Sequence, residues 1–259
     1  MVFYERQRAR SDRMNQWIRG SLADSGSRVR LFCFPYAGGG AAAYFAWPSL
    51  LRPKGVNACP IQLPGREVRF GEVPVTAMQE LTAKICDGIE PYLGLPFSFF
   101  GHSMGTLIAF EVARELARRK RTLPEWLFMS GAVPPHRRPV ESLHELPLAE
   151  FINAVAQRYS GLPREVLTNQ ELLDLVAPIL QSDFALIERY RYEPGRALPV
   201  KIAAFGGRSD SSVAPAELQY WGDLTAHPER FHVMLFDGDH FFLNHHRQEL
   251  VSEIARLLA

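Results

Sequence analysis

Short apolar runs alternate with longer amphipathic patterns along most of this chain, and that alternation restricts the fold more than any other feature. Residues 29–34, 56–63, 97–100, 126–130, 200–205 and 231–236 are apolar runs with Gly, Pro or Asp at a boundary. Buried parallel strands read this way, because both of their faces are covered. Helical patterns lie between them at 75–93, 106–120, 215–224 and 247–258. In the first, Met78, Leu81, Ile85 and Ile89 share one stripe. In the second, Leu107, Phe110, Val112, Ala113, Leu116 and Ala117 do. Strand and helix in this rhythm predict a doubly wound, mostly parallel α/β sheet. Right-handed crossovers then bring the strand C-termini to one edge, where ligands bind.

The rhythm breaks between 134 and 199, where no strand is evident and residues 148–159 and 169–190 carry helical patterns. Pro178 falls inside the second and predicts a kink there. A helical insertion of this size, about 136–198, is read as a lid rather than as plain packing on a sheet face. Residues 1–27 are polar, weakly patterned and end in Ser25-Gly26-Ser27, so they are expected to be a poorly ordered leader. The main domain is then 28–259.

Charge and composition exclude several roles. Lys plus Arg is 29 and Asp plus Glu is 28, a net charge of +1 that argues against a protein built to hold nucleic acid or an anionic membrane. No apolar run is long enough to span a bilayer. The basic start, with Arg6, Arg8 and Arg10, lacks the apolar stretch of a secretory signal. Cys33, Cys59 and Cys86 are odd in number and each lies in an apolar run. They read as buried hydrophobes in a reducing compartment, which predicts a cytoplasmic protein with no disulfide frame and no metal site.

The sharpest chemical signal is Gly101-His102-Ser103-Met104-Gly105. The pentapeptide G-x-S-x-G is weak by itself, but here it follows a strand and precedes a helix, the setting of a nucleophile elbow. A hydroxyl needs a base to take its proton. His102 lies within the elbow and should point away from Ser103, whereas His240 follows the last strand through Asp237-Gly238-Asp239, on the same sheet edge. Of the acids between them, Asp210 ends Phe205-Gly206-Gly207-Arg208-Ser209-Asp210 just past a strand, and Asp183 and Asp223 fall in helical patterns. Ser103 is therefore the expected nucleophile, His240 the base and Asp210 the acid that orients it. An oxyanion needs two backbone N–H groups. Met104 follows the nucleophile, and Ala37 lies in the glycine-rich loop Phe34-Pro35-Tyr36-Ala37-Gly38-Gly39-Gly40. That loop lacks the G-x-x-x-x-G-K-[ST] pattern of a nucleotide cradle.

With these residues in hand, the sequence resembles the type II thioesterases, discrete hydrolases serving nonribosomal peptide and polyketide synthetases. Phe34-Pro35-Tyr36-Ala37-Gly38-Gly39, Gln62-Leu63-Pro64-Gly65-Arg66-Glu67, the elbow and Gly238-Asp239-His240-Phe241-Phe242 carry the resemblance, with Tyr159-Ser160-Gly161-Leu162-Pro163 and Asn169-Gln170-Glu171-Leu172-Leu173 in the insertion. The resemblance implies an α/β-hydrolase fold with a helical lid, and hydrolysis of acyl or aminoacyl thioesters on the phosphopantetheine arm of carrier domains. That arm belongs to the substrate, so no cofactor is expected, and the protein is expected to be a monomer. A medium-chain fatty acyl thioesterase and a general carboxylesterase are the alternatives. Arg137 and Arg138 are candidates for meeting an acidic carrier. Phe151, Leu172, Ile179 and Phe184 are expected to line the acyl pocket. Two departures are visible: Gln181-Ser182-Asp183-Phe184 stands where the family often has Arg-Ala-Asp-Phe, and Ser211 follows the acid where proline is common.

Overall fold

A computed structural model describes residues 15–20, 26–159 and 168–259. Its strands are β1 (Val29–Phe34), β2 (Val56–Pro60), β3 (Phe97–His102), β4 (Trp126–Ser130), β5 (Lys201–Gly207) and β6 (His232–Phe236). They form one sheet in the order β2-β1-β3-β4-β5-β6, every neighbouring pair parallel. The helices are α1 (Trp47–Leu51), α2 (Met78–Ile89), α3 (Met104–Arg118), α4 (Leu148–Arg158), α5 (Gln170–Arg189), α6 (Phe242–His245) and α7 (Arg247–Leu257).

The period of two along each strand divides the core. Phe32 and Phe34 of β1, Leu127 and Met129 of β4, and Ile202 and Ala204 of β5 face α2 and α3. Leu31 and Cys33, Trp126 and Phe128, and Ala203 and Phe205 face α1 and α7. With both faces covered, the inner strands read as apolar runs, whereas the edge strand β6 leaves His232 and Val233 exposed. The predicted stripe Met78, Leu81, Ile85 and Ile89 is buried, as are Leu107, Phe110, Val112, Ala113 and Leu116. The cysteines are buried free thiols, and burial pushes Cys59 and Cys86 up to about 12.

Boundaries shift where a residue finds a partner that the sequence does not display. β2 stops at Pro60 because Ile61 turns to bridge Ile18 in the antiparallel sense. β3 runs on through Gly101 and His102, which pair with Met129 and Ser130. Residues 215–224 wind as a 3-10 helix rather than an α-helix. Leu218, Trp221 and Leu224 are the buried residues there, and a spacing of three matches the 3-10 turn.

The described part of the leader is packed, contrary to expectation. Trp17 and Ile18 are 6% and 5% exposed. Asn15 Nδ2 donates to the Gly88 carbonyl at 2.8 Å, Gln62 N donates to the Trp17 carbonyl at 2.8 Å, and the Arg69 guanidinium covers the Trp17 ring at 4.2 Å. Polarity averaged over the stretch hid this pair, whose burial contributes about 1.5–3 kcal/mol per large side chain. The rest of the leader lies outside the described residues.

Between β4 and β5 the insertion supplies α4 and α5, as expected. α5 begins at Asn169, whose side chain accepts the Leu172 N–H at 3.2 Å. It runs on through Pro178 as one helix. Among the described residues, no helix is long and apolar enough to cross a membrane.

Candidate active site

In the order β2-β1-β3, the chain winds one way from β1 to β2 and the other way from β3 onward. The loops leaving β1 and β3 diverge at the C-terminal edge and open a crevice, the usual ligand site of such sheets. Ser103 leaves β3 into α3 on one side of it. The loop 35–40 leaves β1 on the other.

Ser103 has φ 54° and ψ −119°, a region that L residues enter at a cost of about 1–3 kcal/mol. The flanking glycines make the turn possible. A Cβ on Gly105 would lie 2.1 Å from the Phe34 carbonyl oxygen, and one on Gly101 would lie 2.3 Å from that of Gly105. Ser103 N donates to the Ser130 carbonyl at 2.8 Å, and Thr106 Oγ1 donates to the Gly101 carbonyl at 3.1 Å. The turn is thereby held against β4 while Ser103 stays only half-buried amid buried neighbours.

Asp210 and His240 meet because the loops after β5 and β6 continue the ladder. Arg208 N donates to the Phe236 carbonyl at 2.8 Å, and Ser209 N to that of Gly238 at 2.9 Å. His240 Nδ1 then lies 2.8 Å from Asp210 Oδ2. The other carboxylate oxygen, Oδ1, accepts from Ser212 N at 2.8 Å, Ser212 Oγ at 2.6 Å and Val213 N at 3.2 Å. Burial pushes the Asp210 carboxyl up, but the hydrogen bonds from His240 and Ser212 outweigh it and hold the group below the ordinary carboxylate range. Charged Asp210 favours the proton on Nδ1 and leaves Nε2 as the acceptor. The sequence gives no signal for Ser212, whose N–H and hydroxyl both hold the Asp210 carboxylate.

Ser103 and His240 line one cavity with Tyr36 and Ala37 from the β1 loop. Its volume is ≈ 50 Å³. Met104 opens α3, so its N–H is among those a helix leaves without an internal partner. From the insertion, Val155, Tyr159, Leu180, Phe184 and Ile187 line the same cavity. Of the expected lining, only Phe184 is there. Phe151 is fully buried beneath it, ring on ring at 5.2 Å, inside the insertion's own core. Leu172 is 39% exposed, and Ile179 lies off the lining face. The reason is helical phase: Leu180, Phe184 and Ile187 are spaced four and three apart, and Ile179 is turned about 100° from that stripe. Tyr159, for which the sequence suggests no role, meets the His240 ring edge to face at 5.3 Å. Ser160 to Pro163, which follow it, lie outside the described residues. Gln181 Nε2 donates to the carbonyls of His144 and Leu146, at 3.0 Å each, and so ties α5 to the preceding loop.

His102 turns into the sheet edge, where Nδ1 lies 2.9 Å from Ser130 Oγ, and its ring sits 5.1 Å from that of His240. Its Nε2 is buried with no hydrogen-bond partner among the described residues. Burial, and then the neighbouring His240, hold it well below the usual imidazole range. Unfolded, it takes up a proton near about pH 6.5. Below that pH the unfolded chain binds the extra proton and the folded chain does not, so stability rises with pH and is lost as pH falls. The melting temperature should therefore drop between pH 7 and pH 5, and His102→Gln should flatten the drop. An unchanged slope in that variant would count against the assignment.

Among the described residues, no group of three or more His, Cys, Asp or Glu is placed to hold a metal ion.

The chain is similar to known proteins along most of its length. The chain is 37% identical over 246 residues to the gramicidin S biosynthesis protein GrsT of Aneurinibacillus migulanus, covering 95% of this chain and 94% of that protein. It is 35% identical to the thioesterase PikA5 of Streptomyces venezuelae, over 92% of this chain and 84% of that one. The solved structure of BorB, a type II thioesterase from the borrelidin biosynthetic cluster, superposes with a TM-score of 0.84 at 32% identity, over 94% and 98% of the two chains. The fold is that of the α/β-hydrolases. The thioesterase domain family matches residues 29–258, from the first residue of β1 past the end of α7. That span takes in every strand and each of the loops that bring Ser103, Asp210 and His240 to one edge, and this chain is a member of the thioesterase domain family.

Proposed function

We propose that this protein hydrolyses acyl and aminoacyl thioesters on the phosphopantetheine arm of carrier domains, clearing stalled or mis-primed modules of a nonribosomal peptide or polyketide synthetase. The observation that carries the reading is the single cavity that holds Ser103 and His240, with Asp210 behind the ring. His240 Nε2 takes the Ser103 proton as Oγ adds to the thioester carbonyl. The oxyanion lies on the N–H groups of Ala37 and Met104. His240 gives its proton to the departing pantetheine thiol, leaving acyl-Ser103. It then takes a proton from water, whose oxygen adds to the ester, and Ser103 regains a proton as the acid is released. The reaction as proposed uses no cofactor, since the phosphopantetheine arm is part of the substrate. Arg137, exposed near the insertion, already pairs with Glu217 and covers the Tyr220 ring, so a carrier would have to compete for it.

Cavity size favours short acyl groups. One water needs about 10–15 Å³ on this scale. The ≈ 50 Å³ space beside Ser103 suits an acetyl or a small aminoacyl group, and a ten-carbon chain would have to extend past Phe184 along the open side of the cleft. Release of acetyl, aminoacyl and decanoyl groups from the same carrier protein tests this. Acetyl should leave fastest, and Phe184→Ala should raise decanoyl release relative to acetyl by roughly tenfold or more. A strong decanoyl preference in the unaltered enzyme would instead identify a medium-chain fatty acyl thioesterase.

A further inference from the structure

Arg66 and Asp183 form a buried ion pair that joins the loop after β2 to helix α5. The guanidinium reaches the carboxylate through two nitrogens, each at 2.7 Å from a different oxygen, and the side chains are 6% and 4% exposed. Neither residue reaches the cavity of Ser103, and a buried ion pair is weak evidence of stabilisation by itself, because both charges are desolvated. What it does is visible in the bonds left over. Asp183 Oδ2 also accepts the Gly38 N–H at 2.7 Å. The Arg66 guanidinium also donates to the Gly39 carbonyl at 3.0 Å. Glu67, next in sequence, accepts the Ala42 N–H at 3.0 Å. Arg66 and Glu67, at the end of the segment Gln62-Leu63-Pro64-Gly65-Arg66-Glu67, thus grip the glycine-rich loop and the residues just after it.

The grip falls on one turn. Gly39 N donates to the Tyr36 carbonyl at 2.9 Å, and Gly38 has φ 75°. That is a type II turn over residues 36–39, in which the Ala37–Gly38 peptide is flipped relative to type I. The Tyr36 carbonyl and the Ala37 N–H share one peptide plane. The Gly38 N–H and Gly39 O lie in the peptides that follow that plane, and the Gly39 N–H bond to the Tyr36 carbonyl ties them back to it, so holding both steadies the plane that aims the Ala37 N–H.

We propose that Asp183 and Arg66 are positioning residues for the oxyanion site: the carboxylate selects the flipped peptide, and the guanidinium locks both the carboxylate and the Gly39 carbonyl. The inference rests on Ala37 serving as the oxyanion donor in the reaction proposed above. It also gives Asp183 the place in α5 that its helical pattern denied it as a catalytic acid.

The test is the charge-free pair Asp183→Leu with Arg66→Met, which leaves no lone buried charge and no acceptor for the Gly38 N–H, alongside Arg66→Lys, which keeps the charge and loses the fork. The double variant should lower kcat by about 100-fold, the loss that follows removal of one oxyanion donor, with KM within about threefold. The midpoint of the kcat/KM pH profile should not move, because His240 and Asp210 are untouched. An acyl-mimicking boronic acid, which forms a tetrahedral adduct on Ser103, should lose affinity by a similar factor. The amide-linked acyl-pantetheine, which stays trigonal, should bind as before. Arg66→Lys should recover part of the loss. A merely structural pair would lower the melting temperature and leave these ratios alone. Unchanged kcat in the folded double variant, or equal losses for boronic acid and amide, would overturn the inference. If the unaltered enzyme neither releases thioesters nor binds the boronic acid through Ser103, the proposed function fails first and separately.

Discussion

Ser103→Ala lowers the rate of thioester release by at least about 10⁴-fold, with KM within a few-fold, and abolishes the acyl adduct in intact-mass spectra. Among the described residues that line the cavity no other nucleophile stands beside a base: His240 is committed to Asp210 through Nδ1, and the remaining lining is aromatic or aliphatic apart from the Tyr36 and Tyr159 hydroxyls. What remains is the rate given by binding and the oxyanion donors, which in serine hydrolases generally is far below the full rate. The fold should survive. Alanine removes one oxygen from a half-buried site, and the strained backbone is held by Ser103 N on the Ser130 carbonyl and by the close passage of Gly105 under Phe34. A variant that keeps more than a tenth of the activity would mean that Ser103 is not the nucleophile.

Asp210→Asn costs nearly as much, about 10³–10⁴-fold in kcat. The surrounding donors decide the direction. Ser212 N, Ser212 Oγ and Val213 N all converge on Oδ1, so in the variant the amide oxygen takes that place and the NH₂ group faces His240. An NH₂ group donates, so Nδ1 must accept, and the ring proton moves to Nε2. The base is then already protonated where it should receive the Ser103 proton. Steady-state kinetics on one carrier-bound substrate would check this. A loss below about tenfold would show that Asp210 does not set the tautomer.

Much of this was legible in the sequence because it depends on local order. Buried parallel strands declare themselves as apolar runs, and all six runs hold a strand of the sheet. The elbow declares itself because Gly101 and Gly105 answer clashes within five residues of Ser103 and with the adjoining β1. Asp210 and His240 could be picked by chain order and by their position just past a strand. What was not legible depends on contacts between distant segments. Trp17 is a single aromatic in a polar stretch, and only its meeting with Gly88, Gln62 and Arg69 fixes it. The choice of Phe151, Leu172 and Ile179 as lining failed because the amphipathic patterns of α4 and α5 carry two buried faces, one toward each other and one toward the cavity. Sequence period cannot say which is which. The helical pattern around Asp183 gives no sign of its partner Arg66, which is 117 positions away.

Acetyl groups should be released in a Ser103-dependent reaction, with kcat/KM higher on a carrier protein than on free coenzyme A bearing the same acyl group. Equal rates on the two, or faster cleavage of simple carboxylic esters, would contradict the proposed function and leave a general esterase as the better reading.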